Sequence, residues 1–187
     1  MADGSSNRLT YLLVDGENLD ATLGTDILRH RPAPDERPRW DRVAEFLRQR
    51  WDQDVRGIFF LNASSGTLPM PFVQALLALG YRVVPLSGTK DQKVVDVGIQ
   101  RTLEALKGHP DDVMLCSHDG DFAPHLAALD DGRKLGLLAL REFVSGQLTA
   151  LDIPLFDLED DVAAFNAVLP RVRIISLDDF DPERFLR

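Results

Sequence analysis

Asp112-Val113-Met114-Leu115-Cys116-Ser117-His118-Asp119-Gly120-Asp121 is the stretch on which the fold turns. Met114, Leu115 and Cys116 run apolar without alternation, which suits a strand covered on both faces, and the run ends in a turn carrying two carboxylates. Leu9 to Val14 repeats the arrangement, an apolar run followed by Asp15-Gly16-Glu17-Asn18. Between and beyond these two runs, strands and helices alternate. Val55–Leu61, Arg82–Leu86 and Leu135–Leu140 read as further strands. Trp40–Trp51, Met70–Leu79, Lys93–Leu106 and Phe122–Leu129 read as helices, with Val95, Ile99, Leu103 and Leu106 at helical spacing. Repeated strand–helix units predict an α/β protein, a mainly parallel central sheet between two helical layers.

The chain has 187 residues, 44% of them hydrophobic, enough for one core and a short extension. Its net charge of −9 argues against a binder that relies on a cationic surface, though not against an enzyme that meets phosphates through metal ions. Cys116 is the single cysteine, which excludes an intramolecular disulfide and a thiolate zinc cluster. Residues 1–8 are short, polar and expected to be flexible. No apolar run approaches the roughly 20 residues of a membrane span, so a cytoplasmic protein with no membrane partner is expected. From Asp152 onward nine acids face four arginines, giving an acidic extension expected to pack on, or follow, a domain over residues 9–158. Within it, Phe156 is expected to end a sixth strand, Asp160–Val168 to form a helix and Val172–Ser176 a strand.

In open α/β sheets, ligands gather beyond the carboxyl ends of the strands, where both acidic turns fall. Asp119 and Asp121 lie two residues apart, so in extended chain both carboxylates point the same way, and Gly120 permits a tight turn. The plainer reading makes Asp121 a helix N-cap, and the two roles are compatible. Asp15-Gly16 is likewise a common turn pair. Carboxylates gathered in one place repel unless a cation joins them, and hard oxygen ligands select Mg²⁺ or Mn²⁺. Asp96 lies on the helix after the third strand with Lys93 three residues before it; spacing alone favours a surface ion pair there. Gly98, in that helix's interior, points to close packing. Arg29 to Arg39 is rich in arginine and proline. Arg37 and Arg39 are candidates for phosphate contacts and Trp40 for base stacking, against the alternative of a solvated loop with Trp40 in the core.

Asp15-Gly16-Glu17-Asn18-Leu19, Lys93-Val94-Val95-Asp96 and Ser117-His118-Asp119-Gly120-Asp121-Phe122 together resemble the three motifs of NYN domains, PIN-like nuclease domains that include the LabA-like group. The resemblance implies a PIN-like Rossmannoid three-layer sandwich and metal-dependent cleavage of RNA, probed most simply with single strands. It makes Asp15, Asp96, Asp119 and Asp121 the catalytic, metal-binding acids holding Mg²⁺ or Mn²⁺, with Asn18 and Ser117 as polar support. Lys93 and His118 become candidates for substrate contact, and products would carry 5′-phosphates. His118 departs from the family's usual glycine, and Thr102 stands where many members carry another acid. Two alternatives stay open: a weakly active or inactive RNA- or protein-binding module, and a phosphohydrolase of small esters. A homo-oligomer is compatible with either. No Gly-x-Gly-x-x-Gly, Walker A or nucleophile-elbow sequence points to another chemistry.

Overall fold

The computed structural model describes residues 8–186; the flexible start expected over residues 1–8 lies, except for Arg8, outside them. Six strands form one sheet: β1 (Thr10–Asp15), β2 (Val55–Asn62), β3 (Arg82–Leu86), β4 (Asp112–Cys116), β5 (Leu135–Ala139) and β6 (Leu155–Asp157). Their spatial order is β3-β2-β1-β4-β5-β6 and every pairing is parallel. The chain winds outward from β1 to β3, then returns to β1's other side with β4. The strand order therefore reverses between β1 and β4, where a crevice opens at the carboxyl ends.

Side chains along β1 alternate between two cores. Leu12 and Val14 join one side, with α1 (Gly16–Ala21), α2 (Trp40–Trp51) and α3 (Met70–Ala78). Leu13 joins the other, with α4 (Val94–Leu106), α5 (Ala123–Ala127) and α6 (Gly146–Thr149). Val95, Ile99, Leu103 and Leu106 bury along α4 as their spacing predicts. A Cβ at Gly98 would collide with Leu86 and press on Phe60, which explains a glycine inside that helix. Trp40, Val43, Ala44 and Leu47 do the same for α2. Trp40 is core, edge-on to Phe59 at 5.0 Å, which decides for the core alternative over an exposed stacking face. Its indole Nε1–H is buried without an acceptor, a defect that costs about 1–3 kcal/mol.

The chain after β6 differs from expectation. Asp157 accepts hydrogen bonds from the backbone N–H groups of Glu159 and Asp160, while its own N–H donates to Asp161. These side-chain bonds replace a helical ladder with turns, and Ala163 sits at φ 53°, so no helix forms over 160–168. Leu169 returns to the core. Arg171 is 1% exposed in its side chain and bonded to Asp157, Glu159 and Glu142. The expected strand over 172–176 does not form: with Arg171 and Arg173 drawn to acids, Val172 and Ile174 stand 92% and 95% exposed with no neighbouring strand. Among the described residues, no helix is long and apolar enough to cross a membrane.

Candidate metal centre

The two acidic turns meet across the crevice because β1 and β4 pair in register, Val14 opposite Cys116. Asp15 ends β1 and caps α1, its Oδ1 accepting from the Asn18 N–H at 3.1 Å. Its Oδ2 accepts from Ser117 Oγ at 2.9 Å, a bond spanning 102 residues of chain. Ser117 Oγ in turn accepts from the Asp119 N–H at 3.2 Å. Ser117 thus ties the two turns together and fixes the Asp15 carboxylate.

Beyond β4, Asp119 rather than Asp121 is the cap: its Oδ1 accepts from the Asp121 N–H at 2.9 Å and starts a 3₁₀ turn over Gly120–Phe122. The Asp121 carboxylate, 60% exposed, is left to solvent. Asp96, in the first turn of α4, reaches the same place. Asp96, Asp119 and Asp121 each offer a ligand atom within 4.8 Å of the others. Asp15 stands behind this trio, outside that radius of mutual contact, yet near enough to feel the charges of Asp96 and Asp119.

The electrostatics record an unmet need for positive charge. Burial raises the Asp15 pKa to about 6, with the Asp96 and Asp119 charges adding to the rise and the Asn18 and Ser117 bonds opposing it. Burial likewise raises Asp96, and Asp119 and Asp121 push it further. The cation that offsets them within the cluster is Lys93, its Nζ 3.5 Å from Asp96 and 3.8 Å from Asp121. This ammonium is itself raised by the acids and is 71% exposed, a mobile partner rather than a fixed one. Converging hard oxygens with elevated carboxyl pKa values fit Mg²⁺ or Mn²⁺. Thr102, where a further acid would extend the cluster, instead bonds back to the Gly98 carbonyl.

His118, expected to contact substrate, is turned inward and is 5% exposed. Its Nε2 accepts from the Leu140 N–H at 2.9 Å, so Nδ1 carries the proton and donates to Asn18 Oδ1, also at 2.9 Å. Asn18 Oδ1 accepts from the His118 backbone N–H as well. Burial lowers the His118 pKa to about 4, so the ring is neutral. It braces the β4 turn against α1 and the end of β5, and its edge contributes to the lining of the cleft beside the acids. Arg37 is engaged too, chelating Asp20 through Nε and Nη2, and Arg39 pairs with Asp41.

An open cleft beside the acids is lined by Thr22, Asp26, Phe143, Ser145 and Gln147 in addition to the acidic turn. The sequence shows Ser145-Gly146 only as a turn, although the strand-end rule that located the two acidic turns applies equally after β5. Gly120 lets this segment close in, since a Cβ there would run into Ser145 and Gln147.

A sequence profile described as the NYN domain matches residues 9–152. In a comparison of folds, the chain resembles a crystal structure of a protein of unknown function from Vibrio parahaemolyticus, with a TM-score of 0.66 and 20% identity, over 84% of this chain and 97% of that one. No curated protein is similar to it in sequence.

Proposed function

Since the chain belongs to the NYN domain family, of PIN-like nuclease kind, we propose that it is a metal-dependent ribonuclease acting on single-stranded RNA. The convergence of Asp96, Asp119 and Asp121 at the strand-order reversal, backed by Asp15, carries this reading. These acids would hold Mg²⁺ or Mn²⁺, which when bound neutralises phosphate charge and acidifies a water molecule.

The chain's own groups have separable tasks. Asp15, held at both oxygens by Asn18 and Ser117, anchors the cluster in one rotamer. Asp96, on α4 and paired with Lys93, would share in holding the ion or orient the attacking water. Lys93, long and exposed, can leave the carboxylates and meet the scissile phosphate. Ser117, His118 and Asn18 position the turn, and Asn18 and His118 also line the cleft beside the acids.

The test is incubation of purified protein with a labelled single-stranded RNA, with Mn²⁺ or with EDTA, beside Asp15→Asn and Asp119→Asn. Cleavage to 5′-phosphorylated products is expected only with metal and only in the unaltered protein. Cleavage that persists in both variants would place the activity elsewhere.

A further inference from the structure

On the opposite side of α1 from the open cleft lies a second hollow, bounded by the Arg-Pro loop, α1, β2 and α3. It begins at Gly16, one residue from Asp15, and its walls are largely flat or apolar: Phe59, Phe72, Leu61 and the loop prolines. Gly16 is needed there, because a Cβ would enter the Phe59 ring. The frame is fixed. Arg37 bridges from the loop to Asp20 on α1 and lies 5.9 Å from the centre of the Phe72 ring. Phe59 and Phe72 stand edge to face at 5.3 Å. Trp40 also lines the hollow, and its Nε1–H is the buried donor without an acceptor. Arg31, exposed at the rim, is ion-paired to no acid among the described residues.

We propose that this hollow is a nucleobase subsite, taking the base of a nucleotide adjacent to the phosphate that the carboxylates address. That identity rests on the ribonuclease reading, but the chemistry is local. Aromatic and proline walls suit a planar π system, since every base has a face to stack. An indole can only donate, so its partner is a carbonyl oxygen or bare ring nitrogen, groups that bases present on their edges. The aromatic rings beside the N–H must give way slightly for a base to reach it. Arg31 is then placed for the phosphate of the same nucleotide, while Asp20 keeps Arg37 from competing. The Arg-Pro loop thus contributes a pocket wall and one free arginine, in place of the open cationic strip its composition suggested.

The experiment isolates Trp40. The chain has two tryptophans, so Trp51→Phe leaves Trp40 as the sole indole emitter. Metal-free protein in EDTA is titrated with adenosine or uridine 5′-monophosphate, and with ribose 5-phosphate as the baseless control. A saturable change in Trp40 emission is expected with the nucleotides and not with the control. Leu61→Tyr, which fills the hollow, and Phe72→Ala, which removes a wall, should each weaken the nucleotides by at least tenfold while leaving the melting temperature within a few degrees. In parallel, a single abasic residue walked along an RNA substrate should raise KM about tenfold at one position only, and Leu61→Tyr should erase that difference. No emission change, or an equal change with ribose 5-phosphate, overturns the subsite even if RNA is cleaved. A base-dependent response from a chain that cleaves no RNA supports the subsite and overturns the ribonuclease reading instead.

Discussion

Two groups of carboxylates sit at the carboxyl end of the same sheet, and they are satisfied in opposite ways. At the end of β6, Asp157, Glu159, Glu142 and Asp160 surround Arg171, whose guanidinium is 1% exposed and lies 2.6 Å from Asp157 and 3.0 Å from Glu159. Burial alone would raise the Asp157 pKa, but bonds from Arg171 and from three backbone N–H groups hold it below the ordinary value. At the ends of β1 and β4, the acids have one exposed lysine, and the shifts resolved for Asp15 and Asp96 are upward. One cluster carries its counter-ion in the sequence; the other is left to recruit one. The direction of the carboxyl shift, more than the number of acids, separates the joint that holds its own counter-ion from the cluster we propose as a metal centre.

Removing the counter-ion is the most severe way to break the contrast. Arg171→Met should cost about 3–5 kcal/mol, because Asp157 would be left charged and buried. The midpoint of urea unfolding reads this, and a loss under 1 kcal/mol would mean the joint is not held by charge.

Acidity separates the clusters next. Asp15 binds its proton more tightly folded than unfolded, from 3.8 up to about 6, so its contribution falls as pH rises through that window. His118 does the reverse: its folded pKa is depressed from 6.5 to about 4, so stability is lost as pH falls. The two slopes nearly cancel in metal-free protein. Asp15→Asn removes one of them, and stability should then rise by about 3 kcal/mol between pH 4 and 6.5. A flat profile in this variant would show that burial of the His118 ring does not govern its protonation.

Metal sharpens the comparison from the other side. Mn²⁺ at 100 times its Kd should add about 2.7 kcal/mol, a rise of about 5–10 °C in melting temperature for a domain of this size. Asp119→Asn should abolish the rise without destabilising the metal-free protein, since it removes one of several repelling charges. The smallest effect is expected at the exposed lysine. Lys93→Ala should tighten Mn²⁺ binding a few-fold by calorimetry while weakening the KM for RNA, as the ammonium both competes with metal and is free to contact phosphate.

The strands and the acidic turns at Asp15 and at Asp119–Asp121 were legible because their signals are local, whereas Asp96 read from spacing alone as a surface ion pair and joined the cluster only through the motif resemblance. Unbroken apolar runs mark β1 and β4, and the residue after such a run lies at the edge where ligands bind. What stayed hidden depends on distant pairing. Nothing near Arg171 announces that it will be buried by an acid fourteen positions earlier and another twenty-nine earlier. Val172–Ser176 has the β-branched content of a strand, but it pairs with neither edge strand, β3 or β6. His118 looked like an obstruction or a contact; only the Leu140 N–H, one residue past β5, reveals its bracing role. Trp40 was ambiguous for a different reason, since a large amphipathic ring beside arginines suits either a surface or a core.

The bond from Ser117 to Asp15 crosses 102 residues, and this separation has a consequence in time. Ribosomes add about 5–20 residues each second, so the first half of the centre waits on the order of 5–20 s for the second to be synthesised. During that interval β1 can pair with β2 but has one apolar flank uncovered, the kind of unpaired edge that chaperones shield. In an emerging polypeptide Asp15 therefore stands without its Ser117 partner, and without the Asp119 and Asp121 carboxylates, until the β4 turn has been made, so the proposed centre is completed only as the sheet closes.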